Sequence, residues 1–225
     1  MAPSAELTAA LRALAAREMA ADSAHDLAHL DRVWIACQRI VAGEGRGDPR
    51  LLVAGAYLHD LVNLPKSSPA RARASRLAAE AAAARLPALG YAPVEIGAIR
   101  HIIESHSFSA GIEPETAEAE ILRDADRLDA LGAIGIARNF AVAGQTGQAL
   151  YHPNDPFAAN RSLDDTRYAL DHWRLKLLGL ADGLRTRTAR CIAEERIALM
   201  QAFLDELALE IGRPLPDGWR VGPLP

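Results

Sequence analysis

The stretch that decides the fold is LLVAGAYLHDLVN, residues 51–63. It is apolar on nearly every side, which predicts a short buried helix over 50–63. Pro65 stops it, because the residue before a proline avoids the helical region. Two ionisable groups, His59 and Asp60, stand in the last turns of this apolar run. A buried carboxylate needs a partner or a metal. The partial negative charge at a helix C-terminus places an aspartate there worse still. A bound cation resolves both problems. The plainer alternative pairs Asp60 with an arginine and gives His59 a hydrogen bond in the core, and the dipeptide alone does not choose.

Outward from this helix the chain reads as helix throughout. Residues 4–20 form an Ala-rich helix capped by Ser4, with Glu6 in its first turn. Asp22 and Ser23 are suitable caps for a helix over about 24–42. GEGRGDP (43–49) is a loop by its glycines and proline. Ser68-Pro69 opens a helix to about Leu86, and Pro93 opens another to about Glu104. Residues 115–142 read as helix, interrupted at Gly132 or Gly135, and residues 144–160 are a long Gly/Pro/Asn-rich connection. Helices over about 162–181 and 184–211 complete the chain. With no alternating strand pattern, repeat or linker, the economical expectation is all-α: a single-domain helical bundle, with the motifs within about 20–140 and the C-terminal helices packed on them.

Composition narrows the task. Half of the 225 residues are apolar and only 5% are aromatic, so Ala and Leu fill most of the core. A formal net charge of −4 argues against nucleic acid or a membrane surface as the main partner. No segment has the roughly 20 apolar residues of a membrane span, and MAPSAELTAALRALAAREMA does not read as a signal peptide. Cys37 and Cys191 fit neither a disulfide scaffold nor a Cys-based zinc site. They read as two reduced, buried thiols of a cytoplasmic protein. The amphipathic terminal helices leave a homodimer open.

Three further stretches repeat the pattern of His59–Asp60. In HDLAHLDRV (25–33), His25, His29 and Arg32 share one arc beside Val33, Ala36 and Ile40. In ILRDADRLDALGAIGIAR (121–138), Asp124, Asp126 and Asp129 flank the apolar face of Ile121, Ala125, Leu128 and Leu131. Helical geometry does not choose between Asp126 and Asp129, and salt bridges to Arg123, Arg127 and Arg138 are the bland account. In IRHIIESHSFS (99–109), His106 joins the core face if the helix reaches it, or turns toward a cleft if the helix ends near Glu104. Imidazoles and carboxylates gathered from several helices suit a divalent ion: Mn²⁺, Fe²⁺, Ni²⁺, Co²⁺, Mg²⁺ or Zn²⁺.

The order His29, His59-Asp60, Asp126 resembles the H, HD, D pattern of the HD-domain metal-dependent phosphohydrolases. HxxRV after His29, LHDLVNLPKSSPAR, RHIIESHSFSAG and ILRDADRLDALGAIGIAR are similar to a small bacterial single-domain branch of predicted nucleotide phosphohydrolases or pyrophosphohydrolases. The resemblance covers roughly residues 20–210. It implies His29, His59, Asp60 and Asp126 as ligands of one divalent metal ion, with a second ion open to the histidines His101 and His106. It also selects Asp126 over Asp124 and Asp129, and His29 over His25. A related nucleotidase branch carries Glu three positions after the HD pair; Asn63 stands there, which leaves the acid or base to His101, Glu104 or His106.

The implied reaction is hydrolysis of a phosphorylated small molecule, a nucleotide above all, by metal-bound water. A nucleoside triphosphate would give monophosphate and pyrophosphate, or a phosphomonoester would be cleaved. Asp60 orients the water or takes its proton, and Lys66, Arg71 and Arg127 are the candidates to meet phosphoryl charge. Tyr151, His152 and Asn154 in the long connection are candidates for a base or sugar. The alternatives are a cyclic-nucleotide or dinucleotide phosphodiesterase, disfavoured by the missing Gly-Tyr-Pro extension, and a non-catalytic nucleotide-sensing module. A purely structural metal site is disfavoured because such sites are usually closed and Cys-rich.

Overall fold

A computed structural model describes residues 2–19, 26–64, 68, 70–107 and 110–222. Its regular structure is helical, and among the described residues the only strand-like pairing is an isolated bridge between Ala149 and Tyr168. The chain divides into two compact units, Met1–Asp126 and Arg127–Pro225.

The first unit is built from α1 (Ala5–Glu18), α2 (Leu27–Glu44), α3 (Pro49–Leu58), α4 (Ala74–Ala83), α5 (Pro93–His106) and most of α6 (Ala117–Leu128). Ser4 caps α1 as read from the sequence, accepting a hydrogen bond from the Leu7 amide. α2 is capped by Asp26, whose side chain accepts from the His29 amide at 2.8 Å. The caps expected at Asp22 and Ser23, and His25 with them, lie outside the described residues.

α3 is buried on all sides, as its composition demands, with Leu52 through Leu58 all in the core. It ends earlier than expected: the last helical residue is Leu58, and His59–Asp60 form the turn beyond it. The His59 ring donates from Nδ1 to the Ala56 carbonyl at 3.0 Å. That carbonyl belongs to the last turn, where helical acceptors run short of intrahelical partners.

The glycine of α3 sets how closely its neighbours approach. A Cβ on Gly55 would lie 2.8 Å from Ile102 Cγ2 of α5 and 3.3 Å from Leu122 Cδ2 of α6. One helical turn beyond these three residues stand His59, His106 and Asp126. α3, α5 and α6 therefore run in the same sense past this contact and deliver one polar side chain each to the same end. α4 is shorter than expected, preceded by a 3-10 turn at Arg71–Arg73.

The second unit contains α7 (Gly132–Thr146), α8 (Asp171–Leu175) and α9 (Arg187–Ile211). The interruption expected at Gly132 or Gly135 falls at Gly132, whose φ of +72° suits glycine. The helix expected over 162–181 is replaced by an irregular segment, the five-residue α8 and a 3-10 segment at Leu177–Gly183. The reason is local. Asp164 accepts from the amide and hydroxyl of Thr166, and Asp171 accepts from the Asp164 amide, so carboxylates take the bonds a helix would have made. Cys37 is buried, but Cys191 is exposed on α9, a correction to the expectation of two buried thiols. No helix among the described residues is long and apolar enough to cross a membrane.

Candidate metal centre

The polar side chains expected from α2, from the α3 end and from α6 converge inside the first unit. His29 Nε2 lies 3.4 Å from Asp126 Oδ1 and 3.8 Å from Asp60 Oδ2. His59 Nε2 lies 3.5 Å from Asp60 Oδ2 and 3.8 Å from Asp126 Oδ1. Asp60 turns its other oxygen to α5, where Oδ1 is 3.9 Å from His106 Nε2. The His59 ring packs edge-on against both His29 and His106, at 5.5 and 4.9 Å between centroids. Two overlapping triads, His29–His59–Asp126 and His59–Asp60–His106, each offer ligand atoms within 4.8 Å of one another.

Helix ends fix the state of two of these rings. His106 donates from Nδ1 to the Ile103 carbonyl at 2.6 Å, just as His59 does to Ala56. A carbonyl only accepts, so both rings carry their proton on Nδ1 and present a lone pair at Nε2. Burial pushes His59 below the ordinary histidine pKa and keeps it neutral. Burial alone would raise Asp126. The hydrogen bond from His29 is the first influence that opposes it, and the carboxyl is held below the usual range.

These residues fit a cation. His59 Nε2 is fully buried and meets no hydrogen-bond partner among the described residues. An imidazole lone pair left in that state, aimed at two carboxylates, is costly. A divalent ion would satisfy it and neutralise Asp60 and Asp126 together. The backbone carbonyls of Ala56 and Ile103 are acceptors of the kind that orient metal-ligating histidines.

The other candidates fall elsewhere. Asp129 is 3% exposed and bonded to Arg138 at 2.7 Å, which is the salt bridge that the bland account of this helix foresees. Asp124 is fully buried and outside both triads. His101 Nε2 accepts the Glu115 amide at 3.0 Å, and Glu104 faces Arg100 at 3.6 Å. Arg71 donates from Nη1 to Asn63 Oδ1 at 3.0 Å and to the Leu64 carbonyl, securing the segment that follows Asp60. Arg127 donates to the Gly183 carbonyl at 2.6 Å within the second unit. Lys66 lies outside the described residues. His152 Nδ1 accepts the amides of Asn154 and Asp155, folding the long connection on itself. Asp31 and Tyr57, two residues from His29 and His59, did not stand out in the sequence, although a tyrosine in an aliphatic helix was a visible signal.

Comparison with known proteins agrees with this arrangement. The HD domain family profile matches residues 26–131, which contain every residue of both triads. YpgQ of Bacillus subtilis is 33% identical over 193 residues, covering 84% of this chain and 85% of that protein. The crystal structure of YpgQ in complex with ADP superposes with a TM-score of 0.72 at 30% identity, over 91% of this chain and 95% of that one. An HD-superfamily hydrolase from Bacillus thuringiensis gives a TM-score of 0.71 at 30% identity, over 93% and 98% of the two chains. The sequence match, the shared fold and the converging histidines and aspartates place this chain in the HD-domain phosphohydrolase superfamily.

Proposed function

We propose that the chain is a divalent-metal-dependent phosphohydrolase that cleaves a nucleotide, converting a nucleoside triphosphate to monophosphate and pyrophosphate. The observation that carries this reading is the convergence of His29, His59, Asp60 and Asp126 around an orphaned, buried imidazole nitrogen. These four would hold the ion. The ADP bound to the related YpgQ supports a nucleotide as the ligand class. A cation held there supplies Lewis-acid chemistry, lowering the pKa of a water and polarising a phosphoryl oxygen.

The remaining work falls to the chain. His106 is the base in this reading. With its Nδ1 proton committed to Ile103, its Nε2 lone pair faces the Asp60 side of the cluster and can take a proton from the attacking water. His101 is less suited, because its Nε2 already accepts the Glu115 amide. Asn63, an amide bonded to Arg71, cannot serve as the base that a glutamate there provides. Arg71, tied to Asn63 in the segment after Asp60, is the candidate to meet charge on the phosphoryl oxygens.

The test strips the protein with EDTA, restores Mn²⁺, Co²⁺, Ni²⁺ or Mg²⁺ separately, and identifies products from a panel of nucleoside triphosphates, diphosphates and phosphomonoesters. Metal-dependent release of pyrophosphate is expected. Absence of metal-dependent turnover on every nucleotide would overturn the reading.

A further inference from the structure

Two residues beyond His29 stands Asp31, and two residues before His59 stands Tyr57. α2 and α3 run in opposite senses here, so these residues meet one step away from the ligand pair. The Tyr57 hydroxyl donates to Asp31 Oδ1 at 3.0 Å. Arg12 of α1 reaches the same carboxylate with a fork: Nε is 2.9 Å from Oδ1 and 3.2 Å from Oδ2, and Nη2 is 2.9 Å from Oδ2. The Tyr57 side of this chain of bonds is in the core, with the residue 3% exposed. The Arg12 side is open, with its side chain 48% exposed.

We propose that Arg12, Asp31 and Tyr57 form a clip that positions the metal centre by fixing the start of α2 against the end of α3. The proposal rests on the metal-centre reading above. Two of the three helices that meet α3 at the site, α5 and α6, are set by the close approach at Gly55. α2 has no such contact with Gly55, and it brings His29 from the opposite direction. The buried side chains of α2 other than His29 are mostly apolar, Leu30, Val33 and Ile40 among them. Apolar packing is non-directional and tolerates small slides, whereas metal ligands must sit within about 0.2 Å of their distances. A directional bond beside the ligand pair supplies the missing constraint. Arg12 then holds the Asp31 carboxylate in one orientation, so that its Oδ1 stays with Tyr57.

A clip that served stability alone would cost the metal-free fold and leave ion affinity unchanged. The test therefore measures the Kd for Mn²⁺ by calorimetry and the Tm of the metal-free protein, in the full chain. Tyr57→Phe should weaken Mn²⁺ binding about tenfold, the lower end of what outer-shell partners cost. Arg12→Met, at the half-exposed end, should shift the Kd in the same direction by less, and it provides a folded variant where Tyr57→Phe does not. The double variant Tyr57→Phe/Asp31→Ala should lose no more than the weaker-binding single variant, because a clip broken once is broken. Unchanged Kd in Tyr57→Phe and Arg12→Met, with only Tm lowered, would overturn the proposal. Asp126→Ala separates the two readings. If it abolishes binding while Tyr57→Phe retains it, the clip alone falls. If the wild-type protein binds no Mn²⁺, the metal centre and the clip fall together.

Discussion

Two carboxylates of this protein, one fully buried and one half-buried, sit in opposite surroundings. Asp171 in the second unit is fully buried and faced by donors: Arg161 Nη1 and Nη2 at 2.5 and 2.8 Å, and the Asp164 amide at 2.6 Å. Arg161 in turn lies over the Tyr168 ring at 4.8 Å. That cluster is electrically closed and only ties a loop to α8. Asp126 in the first unit is faced by imidazoles, and of these His59 presents a lone pair rather than a proton. An acceptor, and not only donors, faces the carboxylate there. The difference teaches that burial of charge is not itself a functional signal. What matters is whether donors complete the set or a cation is needed to do so.

Four experiments break or sharpen this comparison. Asp126→Ala should abolish divalent-ion binding and lower activity by more than the roughly 100-fold that outer-shell partners cost; calorimetry and turnover read it. Retained binding would make the open cluster as structural as the closed one. Arg161→Met should leave Mn²⁺ affinity unchanged yet cost about 3–5 kcal/mol of folding stability by denaturant titration, because it strands a buried charge. His106→Gln should lower kcat about 10²-fold with little change in the Kd for Mn²⁺. A collapse of that Kd instead would make His106 a ligand and not the base. The smallest effect belongs to a half-buried carboxylate at the start of α5. The Ala92 amide and Arg50 hold Glu95 below the ordinary glutamate pKa. Its contribution is therefore fully present above that ordinary value and is lost as pH falls through the lowered one. The Tm gap between wild type and Glu95→Gln should close on acidification through that window and stay constant at neutral pH.

The sequence reading succeeded where one face of a helix had to be buried. α5 begins at Pro93 as expected and continues through His106, which settles the open question of that ring: it lies against His59, 8% exposed. The reading failed over 162–181, where Asp164 and Asp171 spend their carboxylates on local amides. It also placed His59–Asp60 inside a helix that ends one residue before them. Nothing in the propensities of residues 59–62 stops a helix; an imidazole folding back onto the Ala56 carbonyl accompanies the end. The histidines read as acid or base candidates divided in the same way, His101 to a structural amide and His106 to the cluster.

What the sequence determined by itself is the all-α class, the burial of α3, and the set of polar residues at the margins of apolar stripes. These follow from side-chain periodicity and the cost of burying charge, which are local. Periodicity brings Asp124, Asp126 and Asp129 to the margin of one apolar face but does not separate them, since they lie within a turn and a half of one another; only the family resemblance pointed to Asp126. Only the tertiary structure decided that Asp126 meets His29 and His59 while Asp129 meets Arg138. The physical reason is that the choice depends on which neighbour each face of α6 meets. That is set by the approach of α3, α5 and α6 at Gly55 and by the opposed run of α2.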